Sequence, residues 1–222
     1  MTFKLFNKTF TLNFFWIASL VASMHFFGFF LMNWEKTRSL FEALTPANLV
    51  ISAFALLAFH SQWSRKFLWA CIIVFLGGLS IEIIGVKTGW IFGSYEYGKT
   101  LGIKLLDVPL TIGLNWLVLL YATTSLFIQL FPSSSKTSIF IKALFPALLM
   151  TSLDYLIEPV AIQHDFWHWF GASIPLKNYL GWFVSSYCLG ILFFYMDAPQ
   201  KNKMTYIILC SQVFFFGMHW II

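Results

Sequence analysis

Three carboxylates stand inside or just within segments that are otherwise apolar enough to lie in lipid: Glu82, Asp154 and Glu158. A charged carboxylate at mid-bilayer costs about 2.5 to 3.5 kcal/mol on insertion scales, so acids kept there are expected to serve a function. Asp154 and Glu158 stand at i and i+4. On a helix that spacing puts both side chains on one face with Cβ atoms roughly 6 Å apart. Two carboxyls so close in a low-dielectric pocket cannot both ionise cheaply, which leaves a proton on one of them: a Brønsted acid beside a carboxylate base. The competing expectation is that these acids only cap helices or pair with lysines where helices meet water. It is strongest for Glu158, followed by Pro159 at an expected helix end. Asp107, ahead of Val108-Pro109, reads as a helix N-cap.

His164 and His168 are also at i and i+4, with Asp165 between them, and could set two metal ligands on one helix face. No third ligand follows at a recognised spacing, and Phe166-Trp167-His168-Trp169-Phe170 has the composition of an interfacial aromatic belt, so no metal is expected. His25, His60 and His219 read as packing or interface residues; two histidines on facing helices could ligate haem, but no spacing supports that. Aromatic residues make up 20% of the chain, with 27 Phe and 10 Trp, far more than one site needs, so most must face lipid or neighbouring helices. Ring faces nevertheless attract cations. A pocket lined by them and holding one acid could protonate an alkene and shelter the resulting carbocation.

The elements that would position these groups follow from composition. The 222 residues are 59% hydrophobic and 10% charged, with mean hydropathy +0.77, values that exclude an ordinary soluble domain. The apolar residues come in blocks of about 18 to 24, long enough to cross a hydrocarbon core of roughly 30 Å as helices. Seven spans are expected: Thr11 to Met32, Leu44 to Phe59, Phe67 to Val86, Val108 to Phe131, Ile139 to Val160, Tyr179 to Tyr195 and Met204 to Ile222. Thr45-Pro46 suits a cap followed by proline in the first turn of the second. The fold class is all-α: a polytopic membrane helical bundle of about seven transmembrane helices, with residues 1–222 forming a single integral membrane domain. The first block is too long for a signal-peptide core and is expected to remain as a span. No internal repeat is visible.

The net charge of +5 and pI near 9.1 do not indicate a nucleic-acid partner, because the basic residues are scattered pairs at block ends, as topology signals are. They divide eight against six between alternate faces, which leaves the sidedness open. Cys71, Cys188 and Cys210 lie inside apolar blocks without metal-type spacing and read as small apolar residues. Alternation of the spans alone places the end of the third, the start of the fourth, the end of the fifth and the start of the sixth on one membrane face. The polar residues concentrate there.

The segment Ile81-Glu82-Ile83-Ile84-Gly85-Val86-Lys87-Thr88-Gly89-Trp90-Ile91-Phe92-Gly93-Ser94-Tyr95-Glu96-Tyr97-Gly98, continued by Leu101-Gly102 and Val108-Pro109, resembles the carotenoid biosynthesis membrane-protein family. A second block carries the same resemblance: Asp154, Glu158-Pro159-Val160, Trp167, Trp169 and Ile174-Pro175-Leu176-Lys177-Asn178-Tyr179-Leu180-Gly181-Trp182. Together the blocks cover about Gly78 to Trp182, nearly half the chain.

The resemblance implies a carotenoid 1,2-hydratase acting on an acyclic (psi) end group such as that of lycopene or γ-carotene. It also implies a multi-pass protein of a bacterial cell membrane, with a lipid-soluble carotenoid substrate and other carotenoid biosynthesis enzymes as partners. Membrane-embedded lycopene cyclase subunits have similar hydropathy and begin from the same cation, so fold alone does not separate hydration from cyclisation or isomerisation. A non-catalytic scaffold for pigment assembly is the third reading. Protonation at C2 of the terminal C1=C2 alkene leaves a tertiary cation at C1; water then gives a 1-hydroxy end, whereas the chain's own C5=C6 alkene gives a ring. Neither outcome needs a redox cofactor, none is expected, and the sequence has neither a dinucleotide-binding glycine turn nor a P-loop. The roles expected from chemistry and placement are Asp154 or Glu82 as proton donor and Glu158 as the group that positions or deprotonates water. Tyr95, Tyr97, Trp116, Trp167 and Trp169 would shape the cation-stabilising pocket, and Asn115 and Asn178 would orient water, since an amide both donates and accepts.

Overall fold

In lipid every backbone N–H and C=O must be satisfied within its own segment, so long apolar stretches become helices. A computed structural model describes residues 2–5 and 8–221. Strands β1 (Thr2–Leu5) and β2 (Lys8–Thr11) pair as a hairpin. Helix α1 (Phe14–Asn33) follows, its N-cap Asn13 accepting the Phe15 N–H at 2.9 Å. Next come α2 (Arg38–Ala43), α3 (Thr45–Ala58) and α4 (Arg65–Thr88). The connection onward holds β3 (Tyr95–Tyr97), β4 (Lys104–Leu105) and β5 (Val108–Pro109), and leads into α5 (Leu110–Leu130). The chain closes with α6 (Ile139–Gln163), β6 (Trp167–Trp169), α7 (Leu176–Tyr195) and α8 (Met204–Met218).

The result is an all-α membrane bundle. Among the described residues four helices, α1, α4, α5 and α6, are both long and apolar enough to cross a membrane. Helices α3 and α8 are apolar but only 14 and 15 residues long, and α7 has 20 residues but is less apolar. The seven expected spans fall on α1 and α3 to α8; the extra short helix, α2, lies in a segment that reads as a loop. The last expected span reaches Ile222, which lies outside the described residues.

Several local expectations are corrected. Pro159 does not end its helix: α6 runs on to Gln163 with Pro146 and Pro159 both inside it, since an interior proline costs one backbone bond and bends a helix without having to terminate it. Thr45 is not a cap; its hydroxyl donates back to the Phe41 carbonyl at 3.4 Å, while Pro46 does sit in the first turn. Asp107 is not an N-cap either. Leu106 and Asp107 have φ of 49° and 71°, the positive pair that a tight β4–β5 hairpin turn demands, and Asp107 forms an ion pair with Lys87. That pair pulls the Asp107 carboxyl below its usual range. Finally, His164 and His168 share no helix face, because α6 stops at Gln163 and His168 lies in β6.

Helix α5 is the centre of the bundle: it packs on α3, α4, α6, α7 and α8, and most of its residues are buried. Its buried Thr123 and Thr124 hydroxyls donate to the Leu119 and Leu120 carbonyls at 2.8 and 2.7 Å, so the polar atoms there are satisfied within the helix. At the end of the bundle away from β3, His60 Nδ1 meets the Tyr121 hydroxyl at 2.6 Å, and Asn202 donates to the Leu56 carbonyl at 2.8 Å. His60 also stacks on Phe67, which accounts for it as a packing residue.

Strand β3 pairs antiparallel with β6 in the register Tyr95↔Trp169, Glu96↔His168, Tyr97↔Trp167. This ladder ties the α4–α5 connection to the α6–α7 connection and closes the helix ends beneath it. Gly98 extends the contact, its N–H donating to the Phe166 carbonyl at 2.9 Å. A Cβ at Gly98 would stand 2.1 Å from the Asp165 carbonyl oxygen, so no side chain fits there.

Candidate active site

Side chains alternate along a strand, so the β3–β6 register turns Tyr95, Tyr97, Trp167 and Trp169 toward the bundle and leaves Glu96 exposed. Beneath them α4 supplies Glu82, α5 supplies Asn115 and Trp116, α6 supplies Asp154 and Glu158, and α7 supplies Asn178. All ten residues singled out from sequence meet at one site. Nine line a single small cavity of about 20 Å³, and the tenth, Trp116, bonds to Glu82 in its wall.

The three acids are 3%, 1% and 1% exposed for Glu82, Asp154 and Glu158, which rules out solvation as the source of their stability. Nor does any ion pair among the described residues involve them. Their partners are neutral donors. Glu82 accepts from the Tyr95 hydroxyl at 2.5 Å and the Tyr97 hydroxyl at 2.8 Å, both on Oε2, and from the Trp116 indole at 3.0 Å on Oε1. Glu158 accepts from the indoles of Trp167 at 3.0 Å and Trp169 at 2.9 Å, both on Oε2. Asn178 then joins the two acids of α6, its Nδ2 donating to Asp154 Oδ2 at 2.7 Å and Glu158 Oε1 at 3.0 Å.

Burial, and after it the charge of Glu82, pushes the phenols of Tyr95 and Tyr97 well above their ordinary range, so both stay protonated as donors. Asp165, on the outer side of the ladder, is held below the usual carboxylate range. The main cause is the Lys99 backbone N–H at 2.9 Å and the second is His168 at 2.6 Å.

Four more residues line this cavity: Phe92, Ile112, Ile157 and Trp182. Trp182 stands at i+4 from Asn178, a spacing that puts both on one face of α7 and could have been read from sequence. Phe92, Ile112 and Ile157 carry no such signal among 27 phenylalanines and many aliphatic residues. No group of three or more His, Cys, Asp or Glu side chains among the described residues is arranged to hold a metal. His25 and His219 each bond a backbone carbonyl one turn back, Val21 at 2.9 Å and Phe215 at 2.7 Å. His164 lies outside the cavity and meets Glu42 at 2.9 Å.

A second cavity, about 170 Å³ and mostly apolar, adjoins the first. It lies among α1, α2, α3, α5, α6 and α8 and shares Ile112, Asn115, Ile157 and Trp167 with the acid chamber.

Buried acids held by phenols and indoles, with an apolar hollow alongside, fit chemistry on a hydrocarbon substrate. The family described as "Carotenoid biosynthesis protein" matches residues 44–222, and this chain belongs to it. A bisanhydrobacterioruberin hydratase of Haloarcula japonica is 29% identical over 130 residues, 56% of this chain and 43% of that protein. The match therefore spans less than half the length of the relative. No solved structure matches the chain.

Proposed function

We propose that the protein is a carotenoid 1,2-hydratase that adds water across the terminal C1=C2 bond of an acyclic carotenoid end. One observation carries the reading: the acid chamber has room for about one water molecule. A cavity of about 20 Å³ exceeds the roughly 10 to 15 Å³ that a water needs, and a bound water also needs two or more polar partners. Glu158, Asn178 and Asn115 are within the same lining. Cyclisation would have no use for such a water.

Three buried acids with only neutral donors cannot all be charged, because unpaired buried charges are too costly. Asp154 receives one hydrogen bond where Glu82 and Glu158 each receive three, so Asp154 has an oxygen left to carry the proton. In this reading Asp154 protonates C2 and the electron pair of the alkene forms the new C–H bond, leaving the cation at C1. Glu158 takes a proton from water as the water oxygen bonds to C1. The proton then passes from Glu158 to Asp154 across the face they share, so the site resets with a net gain of one water by the substrate. Glu82, held by its three donors, supplies negative charge near the cation, and the rings of Tyr95, Tyr97, Trp167 and Trp169 shelter it.

The same reading makes the protein a multi-pass integral membrane protein with all of residues 1–222 in one domain. The test is expression of this chain in a lycopene-making host, and separately in a γ-carotene-making host, followed by incubation of membranes in H₂¹⁸O. Products heavier by one labelled water per modified end are expected. A cyclised product of unchanged mass would instead indicate a cyclase, and pigment bound without conversion would indicate a scaffold; either overturns the hydratase reading.

A further inference from the structure

We propose that the larger cavity houses the terminal stretch of the substrate's polyene chain and delivers its end to the junction at Ile112, Asn115, Ile157 and Trp167. This rests on the carotenoid reading of the acid site and adds where the substrate lies. The first argument is continuity: those four residues line both cavities, so the hollow abuts the acid chamber. The second is chemistry. A conjugated hydrocarbon offers no hydrogen bonds and needs apolar, polarisable walls, and the rings of Phe41, Phe166, Phe215 and Phe216 with the thioethers of Met24 and Met32 provide them. The third is shape. Met24, Gly28 and Met32 all line the hollow, so it follows α1 for about 12 Å at 1.5 Å per residue, an elongated form suited to a rod-like chain.

The junction divides the labour between the two spaces. The acid chamber holds about one water, so the chain end enters it from the junction, past Asn115, with Asp154 and Glu158 ahead of it. No hydrogen bond to the Asn115 amide is found among the described residues. Its carbonyl and amide are free to meet the incoming water or the newly formed hydroxyl. Helix α1 contributes nothing to the acid chamber, so its residues report on the chain alone. A Cβ at Gly28 would meet nothing nearer than Phe215 at 3.7 Å, which means that a larger side chain there grows into the hollow without displacing backbone.

The experiment measures lycopene binding to the purified protein in detergent by quenching of tryptophan emission, separately from turnover. Gly28→Phe on α1 and Leu49→Trp on α3 fill the hollow from two sides, and circular dichroism with size-exclusion profiles establishes that each is folded. Both are expected to weaken lycopene binding at least tenfold, whereas Asp154→Asn binds as the wild type does while losing turnover. If either folded filling variant binds lycopene with wild-type affinity, or if the wild type does not bind it, the assignment of this cavity is overturned. If the wild type binds, the filling variants do not, and no hydroxylated product forms in any of them, the chain site stands and the hydratase reading falls.

Discussion

Trp116 lies flat on Trp182, with ring centroids 4.3 Å apart and planes 6° from parallel, while its indole N–H donates to Glu82 at 3.0 Å. The stack joins α5 to α7 and fixes one of the three donors that hold Glu82. Aromatic pairs contribute about 0.5 to 1.5 kcal/mol beyond area burial. Trp182→Leu is therefore expected to lower turnover by up to about tenfold, with the protein still folded and the effect partly recovered in Trp182→Phe.

The contact on the other side of Trp116 is tighter. A Cβ at Gly78 would stand 2.4 Å from the Trp116 ring, so Gly78→Ala must move that ring off Glu82. Loss of turnover at least as large as in Trp182→Leu is expected. Wild-type activity in Gly78→Ala would show that the Trp116–Glu82 bond does not matter to the reaction.

Neutralising the acids without changing their size separates chemistry from architecture. Asp154→Asn and Glu82→Gln should remain in the membrane fraction and lose activity by about 10²- to 10⁴-fold, the usual contribution of a general acid or base. Near-normal product yield from both would mean that the acids are structural.

Drying the chamber tests the fate of the cation. Glu158→Met and Asn178→Leu remove polar partners of the proposed water but leave Asp154 in place. Chromatography of the pigments should find less 1-hydroxy product, with some carotenoid diverted to cyclised or isomerised forms. An unchanged product ratio in both variants would place the water elsewhere.

The closing ladder has its own pH response. Asp165 sits below its unfolded value through the Lys99 N–H and His168, so its stabilising contribution is fully present above the unfolded carboxylate value. That contribution is lost as pH falls through the lower folded value. Tryptophan emission from Trp167 and Trp169 should change over that acidic window, and Asp165→Asn should abolish the transition. Gly98→Ala, which would drive a Cβ into the Asp165 carbonyl oxygen, should open the same ladder at all pH values.

The acids were legible in sequence because lipid makes them anomalous and because i and i+4 have one meaning on a helix. Asp154 and Glu158 satisfy both conditions, and Asn178 followed from alternation of the spans. The pairing of Tyr95 with Trp169 was not legible. Strands β3 and β6 have three residues each and lie about 70 residues apart in sequence, too short for period-two alternation to stand out among so many aromatic residues. The i, i+4 spacing of His164 and His168 has no helical meaning for a similar reason, since the chain leaves the helix at Gln163 and His168 lies in β6. Asp107 failed similarly, since proline follows helix caps and hairpin turns alike.

The donors around the two glutamates follow one plan used twice. Each glutamate accepts from two rings two residues apart on the strand that follows its helix, and from one side chain on the next helix: Tyr95, Tyr97 and Trp116 for Glu82, Trp167, Trp169 and Asn178 for Glu158. The antiparallel β3–β6 register, centred on Glu96 and His168, gives the ladder a local two-fold axis between the halves. What differs is the kind of ring. A phenol hydroxyl both donates and accepts, whereas an indole N–H only donates. The near-symmetric frame thus gives Glu82 neighbours whose oxygens can accept a further hydrogen bond and gives Glu158 neighbours that only donate, so two glutamates in one frame differ in what else can be bound beside them.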